Sequence, residues 1–235
     1  MHSNLEKPIN IIYFVWINPK KNYKNIITGQ LNDILNCKIL EKANLYVEIC
    51  CEDLNLIDSI KSIFSIIDID FKINFYTKNY YEYYGIKKMY DLAIKEPMKY
   101  YLYFHSKGMF NYDNINERNI YEKTLTKSTL YQYEKVINLF EKNNDITKIG
   151  LFPSAHNNNN FIWFNFFWAR GTYLNTCENP IITDNRYYYE LWSGNGNNEM
   201  GKVYNLYENN YKKYELNEAA DILNYLNGKC THFLI

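Results

Sequence analysis

The spacing of apolar residues alternates between two periods along the first half of the chain. A continuous apolar run, typical of a buried strand, occupies residues 9–15, and further short segments over 43–51, 71–76 and 100–104 are also interpreted as strands. The segments between them carry apolar residues at helical spacing, over 27–35, 56–67 and 84–95. This regular alternation predicts an α/β fold in which a mostly parallel sheet carries helices on both faces.

The second half has a less regular pattern. Its apolar spacing predicts a long helix over 130–140, a short strand over 148–152, and a late helix over 219–226 that ends at Asn227-Gly228. The aromatic stretch 161–168 is interpreted as a further strand. No internal repeat and no linker-like composition divides the 235 residues, which favours a single domain.

Charge and cysteine content narrow the class of protein. The 26 basic and 26 acidic residues give a net charge of zero, and no basic stripe indicates a nucleic-acid partner. The polar N-terminus has no secretory pattern, and no apolar stretch approaches the roughly 20 residues of a transmembrane helix. The five cysteines show no Cys-x-x-Cys spacing, which is typical of reduced thiols. We therefore expect a cytoplasmic protein without a transmembrane segment.

Candidate chemistry lies where strands of the predicted sheet end, since ligands of open parallel sheets bind beyond the carboxyl ends of the strands. The first strand leads into Phe14, Trp16 and Asn18. The fourth strand leads directly into His105-Ser106-Lys107-Gly108. We expect ligand contacts at both turns.

The turn after the fourth strand is suited to an anion such as a diphosphate. Lys107 supplies charge, Ser106 supplies a hydroxyl, and the backbone amides supply further donors. Gly108 allows the backbone to approach a ligand closely. The alternative is an ordinary hydrophilic turn with a surface lysine, and these four residues alone do not exclude it.

Further motifs give the chain a resemblance to a known family. The aromatic block 164–169, the segment 186–192 and the early Gly29-Gln30-Leu31 follow or precede the His-Ser-Lys-Gly turn in a fixed order. In this order the chain resembles GT-A-like glycosyltransferases of bacterial polysaccharide clusters and large DNA viruses. The resemblance spans roughly residues 11–194.

The resemblance implies a nucleotide-diphosphate sugar as donor, with UDP favoured, and a glycan or other hydroxyl as acceptor. It implies transfer with inversion, as in polysaccharide biosynthesis. Residues of about 9–110 would form the nucleotide-binding half, with 14–18 facing the base and ribose. Residues of about 111–235 would form the acceptor and catalytic half.

A metal site is the point at which the sequence departs from the usual GT-A pattern. No Asp-x-Asp motif follows the fourth strand, and Asp68-Ile69-Asp70 precedes the third strand, where we expect a loop. His105 is a candidate ligand for Mn²⁺ or Mg²⁺, with His232 as a second candidate or an ordinary tail residue. Alternatively, Lys107 neutralises the leaving diphosphate without a metal.

The segment 186–192 offers a catalytic base. A carboxylate that removes the acceptor proton is needed for an inverting transfer, and Glu190 is the leading candidate, with Asp184 second. The alternative for Glu190 is a structural pair with Arg186 at i, i+4 spacing, worth only tenths of a kcal/mol.

Acceptor contacts are expected from a small set of polar and aromatic residues. Asn165 stands out because a carboxamide within an aromatic segment needs hydrogen-bond partners, which sugar hydroxyls supply. Trp168 is expected to pack under the donor or acceptor sugar, whereas core packing is favoured for the other aromatic residues, Phe161, Trp163, Phe166 and Phe167. The full set of expected sugar-binding residues is His156, Asn165, Trp168, Arg186 and Trp192.

Two other functions remain open from the sequence. The missing Asp-x-Asp motif fits a catalytically silent nucleotide-sugar- or glycan-binding module on the same fold. A nucleotidyltransferase is less favoured, because the glycine- and arginine-rich loop expected after its first strand is missing.

Overall fold

Seven strands form one sheet at the centre of the protein, as described by a computed structural model over residues 6–67, 71–106, 118–156, 160–197 and 201–229. The strands are β1 (Ile9–Trp16), β2 (Ala43–Cys50), β3 (Lys72–Tyr76), β4 (Tyr100–His105), β5 (Ile146–Gly150), β6 (Phe167–Arg170) and β7 (Lys202–Asn205). Their order across the sheet is β3-β2-β1-β4-β6-β5-β7, and β6 alone runs antiparallel to its neighbours. The predicted α/β class with a mostly parallel sheet is confirmed.

Eight α-helices connect or follow these strands within the described residues. They are α1 (Tyr23–Asn36), α2 (Ile57–Phe64), α3 (Tyr83–Lys95), α4 (Ile120–Leu130), α5 (Tyr133–Lys142), α6 (Gly171–Leu174), α7 (Arg186–Trp192) and α8 (Leu216–Lys229). In the part of the chain that the structure covers, no helix combines the length and the apolar character needed to cross a membrane.

The direction of chain progression reverses once, and this reversal sets the position of the candidate site. From β1 the chain steps through β2 to the edge strand β3, and it then returns to place β4 on the other side of β1. Crossovers of one handedness place their helices on opposite faces when they move in opposite directions. The crevice between β1 and β4 is therefore the topological switch point, where ligands of such sheets bind.

Strand β1 shows how the sheet buries both faces. Residues 9, 11, 13 and 15 pack with residues of α1 and α2, whereas Ile12 and Phe14 pack with residues of α3. Gly85 lets α3 approach closely, because a Cβ there would lie 2.8 Å from the Cβ of Phe14. Burial on two faces explains why β1 has a continuous apolar run instead of alternating apolar and polar residues.

Three predictions for the second half are wrong in detail. The expected helix over 130–140 is two helices, α4 and α5, with a break after Leu130. Within the expected strand 161–168, Trp163–Asn165 forms a single helical turn and β6 begins only at Phe167. Asn227 and Gly228 lie inside α8 instead of ending it. Apolar spacing alone does not separate two short helices in register, and tertiary contacts override local preference.

Candidate functional site

The ends of β1 and β4 are joined by hydrogen bonds at the switch point. Phe14 and His105 are paired in register, and the amide of Ser106 donates to the carbonyl oxygen of Phe14 at 3.0 Å. The amide of Trp16 donates to Ser106 Oγ at 3.1 Å. The two turns that the sequence singled out are therefore one site, and the Ser106 hydroxyl ties them together.

Gln30 fixes the end of β4 from the face that carries α1. Its side chain is fully buried, and Nε2 donates to the carbonyl oxygen of His105 at 3.1 Å and to Thr126 Oγ1 at 3.0 Å. Its Oε1 accepts a hydrogen bond from the Tyr13 hydroxyl at 2.6 Å. This glutamine of the Gly-Gln-Leu motif thus links α1, β1, β4 and α4 at one point.

A buried ion cluster extends this network to the start of α4. Thr126 Oγ1 donates to Glu122 Oε1 at 2.7 Å, and Arg118 contacts both Glu122 and Asp33, at 2.6 and 2.7 Å. Gly29 makes room for the guanidinium group, because a Cβ at this position would lie 2.2 Å from Arg118 Cδ. Charged groups at this depth require such pairing.

Glu82 places a carboxylate at the carboxyl ends of β1 and β4, beside the same site. It immediately precedes α3, and its Oε2 accepts hydrogen bonds from the Tyr103 hydroxyl at 2.9 Å and from Asn165 Nδ2 at 3.0 Å. Its Oε1 lies 4.0 Å from His105 Nε2. The side chains of Glu82 and His105 are each 16% exposed, so the pair is enclosed by protein yet reaches solvent.

Tyr103 is held in its protonated form. Burial and the neighbouring Glu82 carboxylate raise the pKa of Tyr103 well above its usual range. The hydroxyl therefore remains a donor to Glu82 at all physiological pH values.

Two consecutive residues adopt left-handed backbone conformations beside this carboxylate. Phe164 has φ of 72° and Asn165 has φ of 54°, and each such conformation in a non-glycine residue costs on the order of 1–3 kcal/mol. The Phe164 carbonyl oxygen lies 3.1 Å from His105 Nε2, and Asn165 Nδ2 donates both to Glu82 and to the Tyr189 carbonyl oxygen. The turn that holds these contacts is Trp163–Asn165, which the sequence had indicated as strand.

The hydrogen bond at His105 bears on the expected metal site. A carbonyl oxygen only accepts, so Nε2 of His105 carries a hydrogen and cannot ligate a metal while it contacts Phe164. The described residues contain no group of three or more His, Cys, Asp or Glu side chains arranged for a metal ion. His232 and the pair Asp68 and Asp70 lie outside the described residues.

The expected diphosphate contacts are described in part. Ser106 is nearly buried at the β1–β4 junction, whereas Lys107 and Gly108 lie outside the described residues. Asn18 is half-buried at the first turn, where its Oδ1 accepts a hydrogen bond from the Lys20 amide at 3.0 Å.

The two expected catalytic carboxylates lie on or beside α7. Glu190 is half-buried within the helix, and Asp184 is exposed just before it. This segment packs beside the cluster through Tyr189, whose carbonyl oxygen accepts from Asn165 and whose ring lies 6.4 Å from the ring of Tyr81.

The other expected sugar-binding residues occupy varied environments. Trp168 and Trp192 are fully buried, with their Nε1 groups donating to the carbonyl oxygens of Thr129 and Glu178 at 3.0 and 2.9 Å. Both therefore pack in the core. His156 and Arg186 are exposed. Asn165 is the expected sugar-binding residue that the structure brings into contact with Glu82.

Sequence reasoning missed Glu82 and Tyr103. Glu82 follows β3, which is an edge strand. The position of Glu82 in the sequence would therefore place it at the edge of the sheet, away from the crevice between β1 and β4. Its position became apparent only from the strand order, because the return from β3 to β4 carries the start of α3 back to the β1–β4 crevice. The carboxylate directly before a helix was the one local signal for it.

The assembled site combines a carboxylate, an imidazole, a serine hydroxyl and a buried carboxamide at the switch point. No protein-family model and no curated protein matches the chain. Such a set of groups can bind a polar ligand with many hydroxyls and can transfer a proton.

Proposed function

We propose that the protein is a GT-A-type glycosyltransferase that moves a sugar from a nucleotide-diphosphate sugar, with UDP favoured, to a hydroxyl of a glycan or other acceptor, with inversion. One observation carries the proposal. The His105-Ser106 end of β4 is bonded to the Trp16 end of β1 at the switch point, with the Glu82 carboxylate beside the imidazole. The three ordered sequence motifs add support.

Donor binding follows from the position of this junction. Nucleotides bind at the carboxyl ends of such strands, where Trp16 is half-buried and offers a ring to the base. Lys107 and Gly108 come directly after Ser106 in the sequence and suit the diphosphate, because ammonium groups and backbone amides both bind phosphate oxygens.

The leaving diphosphate can be stabilised in two ways under this proposal. In one, a protein ligand such as His105 would help to hold Mn²⁺ or Mg²⁺, which would neutralise charge on the leaving diphosphate. In the other, Lys107 neutralises the diphosphate alone. The absence of an Asp-x-Asp motif after β4 favours the second route, and the hydrogen bond from His105 Nε2 to Phe164 excludes that nitrogen, though not Nδ1, from the first.

The test is hydrolysis of donor sugars in which water replaces the acceptor. The purified protein is incubated with UDP-glucose, UDP-galactose, UDP-N-acetylglucosamine or GDP-mannose, with and without Mn²⁺, and released nucleotide is measured. We expect slow hydrolysis of at least one UDP-sugar. Insensitivity to EDTA would establish the metal-free route, and loss of activity in EDTA would establish the metal route.

Binding of UDP is measured in parallel by titration calorimetry. Lys107→Ala should weaken UDP binding about tenfold or more, because a charge-assisted hydrogen bond contributes about 1.5–3 kcal/mol. An unchanged affinity would remove Lys107 from the diphosphate site. The matched control is Lys24→Ala, which removes an exposed lysine from α1.

A silent binding module is the second candidate function. The absence of an Asp-x-Asp motif after the fourth strand favours it. Tight UDP binding without hydrolysis of any donor would support the silent module and contradict the transferase.

A further inference from the structure

The strand order gives Glu82 a position that its place in the sequence does not indicate. Strand β3 lies at the edge of the sheet and β4 lies beyond β1, so the connection must return across the carboxyl ends of β2 and β1. Helix α3 accordingly packs against β1, β2 and β4. Glu82, the residue before α3, thereby reaches the end of β4 and contacts Tyr103.

The two oxygens of the Glu82 carboxylate have different surroundings. Oε2 is held by two neutral donors, the Tyr103 hydroxyl and the Asn165 amide. Oε1 lies 4.0 Å from Nε2 of His105, and the Glu82 side chain as a whole is 16% exposed. Glu82 lies directly before α3, at the positive end of the helix dipole. One oxygen is thus fixed by two hydrogen bonds, and the other lies beside the imidazole at the end of β4.

Two unfavourable features of the neighbouring turn both serve to fix this carboxylate. The left-handed conformations of Phe164 and Asn165 point the Asn165 amide at Glu82. The Oδ1 of Asn165 is buried without a hydrogen-bond partner, because the amide presents its NH₂ group to both Glu82 and the Tyr189 carbonyl oxygen. Strain and an unsatisfied polar atom that converge on one contact are typical of functional sites.

We infer that Glu82, instead of Glu190 or Asp184, is the base of the proposed transfer. The inference rests on the proposed function. The acceptor oxygen forms a bond to the anomeric carbon, and the bond from that carbon to the diphosphate oxygen breaks. The electron pair leaves with the nucleoside diphosphate, and the acceptor proton passes to Glu82 Oε1. Asn165 and Tyr103 act as positioning residues, because they hold Oε2 and leave Oε1 beside the imidazole.

The test substitutes Glu82→Gln and measures donor hydrolysis, with the UDP-sugar that the wild-type protein cleaves fastest. Glutamine keeps an oxygen that accepts from Tyr103 and Asn165 but takes up no proton. We expect hydrolysis to fall by about 10²–10⁴-fold, the usual contribution of a general base, with UDP affinity within about threefold of wild type. Glu96→Gln is the matched control at the other end of α3, and it should leave the rate unchanged.

Reaction with azide distinguishes a catalytic base from a residue that only stabilises the fold. An azide ion bonds to the anomeric carbon and releases the nucleoside diphosphate without losing a proton, so it needs no base. Glu82→Gln should therefore form glycosyl azide at a rate within about threefold of wild type. Glu82→Asp, which retains charge but withdraws the oxygens, should lose about tenfold or more in hydrolysis.

Each failure has a separate signature. A wild-type protein that cleaves no donor overturns the proposed function and, with it, the role of Glu82. An active wild type with a fully active Glu82→Gln variant overturns the role of Glu82 alone. Loss of UDP binding or of azide transfer in Glu82→Gln, with Glu82→Asp equally impaired, would make the residue structural and also overturn its role as base.

Discussion

Lys148 is a fully buried lysine within β5 that the proposed chemistry does not use. Its Nζ donates to the Tyr173 hydroxyl and to the Ser193 carbonyl oxygen. Burial lowers the pKa of Lys148 well below its usual range. In the unfolded chain the same amine keeps its ordinary pKa of about 10.4. Between the two values the unfolded chain binds one more proton than the folded protein, so this lysine opposes folding less as pH rises.

Lys148→Met should remove this pH dependence. At pH values between the folded and the unfolded pKa of this lysine, the difference in unfolding free energy, wild type minus variant, should increase by about 1.4 kcal/mol per pH unit. Urea unfolding at pH 7, 8 and 9 measures it. Lys24→Met, a change at an exposed position, is the control and should show a constant difference. A constant difference for Lys148→Met would mean that the amine stays charged in the folded protein.

Helix α1 contains Gly29 although glycine disfavours helix formation. Glycine within a helix costs about 1 kcal/mol relative to alanine, yet Gly29 lies in the middle of α1. The reason is tertiary, because the Arg118 side chain fills the space that a Cβ would need.

Gly29→Ala should consequently destabilise the protein in spite of the better helix propensity. The methyl group displaces Arg118 from Asp33 and Glu122, and weakening a buried ion cluster outweighs the propensity gain. We expect a loss of about 2 kcal/mol in unfolding free energy, measured by urea denaturation. Lys24→Ala on the exposed face of α1 should change it by less than about 0.5 kcal/mol. A more stable Gly29→Ala variant would contradict the close packing of Arg118.

The elements that the sequence predicted well are those with a pattern of their own. Strands β1 and β4 are almost wholly apolar, β2 is rich in strand-forming residues, and the apolar stripe of α2 is visible within one window. Strand β7, Lys-Val-Tyr-Asn, is too short to show a period. The turn at Trp163–Asn165 was missed because its left-handed residues are not the glycines that normally mark such conformations.

The same distinction applies to the candidate site. His105 and Ser106 were predicted because a strand runs directly into them, which is a local signal. Glu82 was not predicted, because its contact with His105 depends on the order of strands in space. Gln30 was noticed as part of a motif, but its role required the position of the His105 carbonyl group.

At the scale of the whole molecule, the position of the switch point predicts which backbone amides a bound nucleotide protects from hydrogen exchange. Saturation with UDP at 100 times its dissociation constant should add about 2.7 kcal/mol to the unfolding free energy. Hydrogen exchange should slow most at the amides of Trp16, Ser106 and residues 82–85, near the carboxyl ends of β1 and β4. Mass spectrometry of peptides with and without UDP measures this pattern.

The amino ends of the strands, which lie far from the proposed nucleotide site, provide the internal control for that experiment. Amides at the start of β2, near Ala43, lie at the amino ends of the strands and should exchange at the same rate with and without UDP. Protection centred on these amino ends would place the nucleotide away from the switch point. It would contradict the position proposed for the donor.

The open sheet also has a consequence for self-association. Its two outer strands, β3 and β7, have five and four residues, and each begins with an exposed lysine, Lys72 and Lys202. Short outer strands that carry lysines are poor templates for another chain, because strand pairing there would have to desolvate charged side chains. Crowded solutions of the folded protein should therefore resist fibril growth from these margins, whereas neutralising both lysines would favour it.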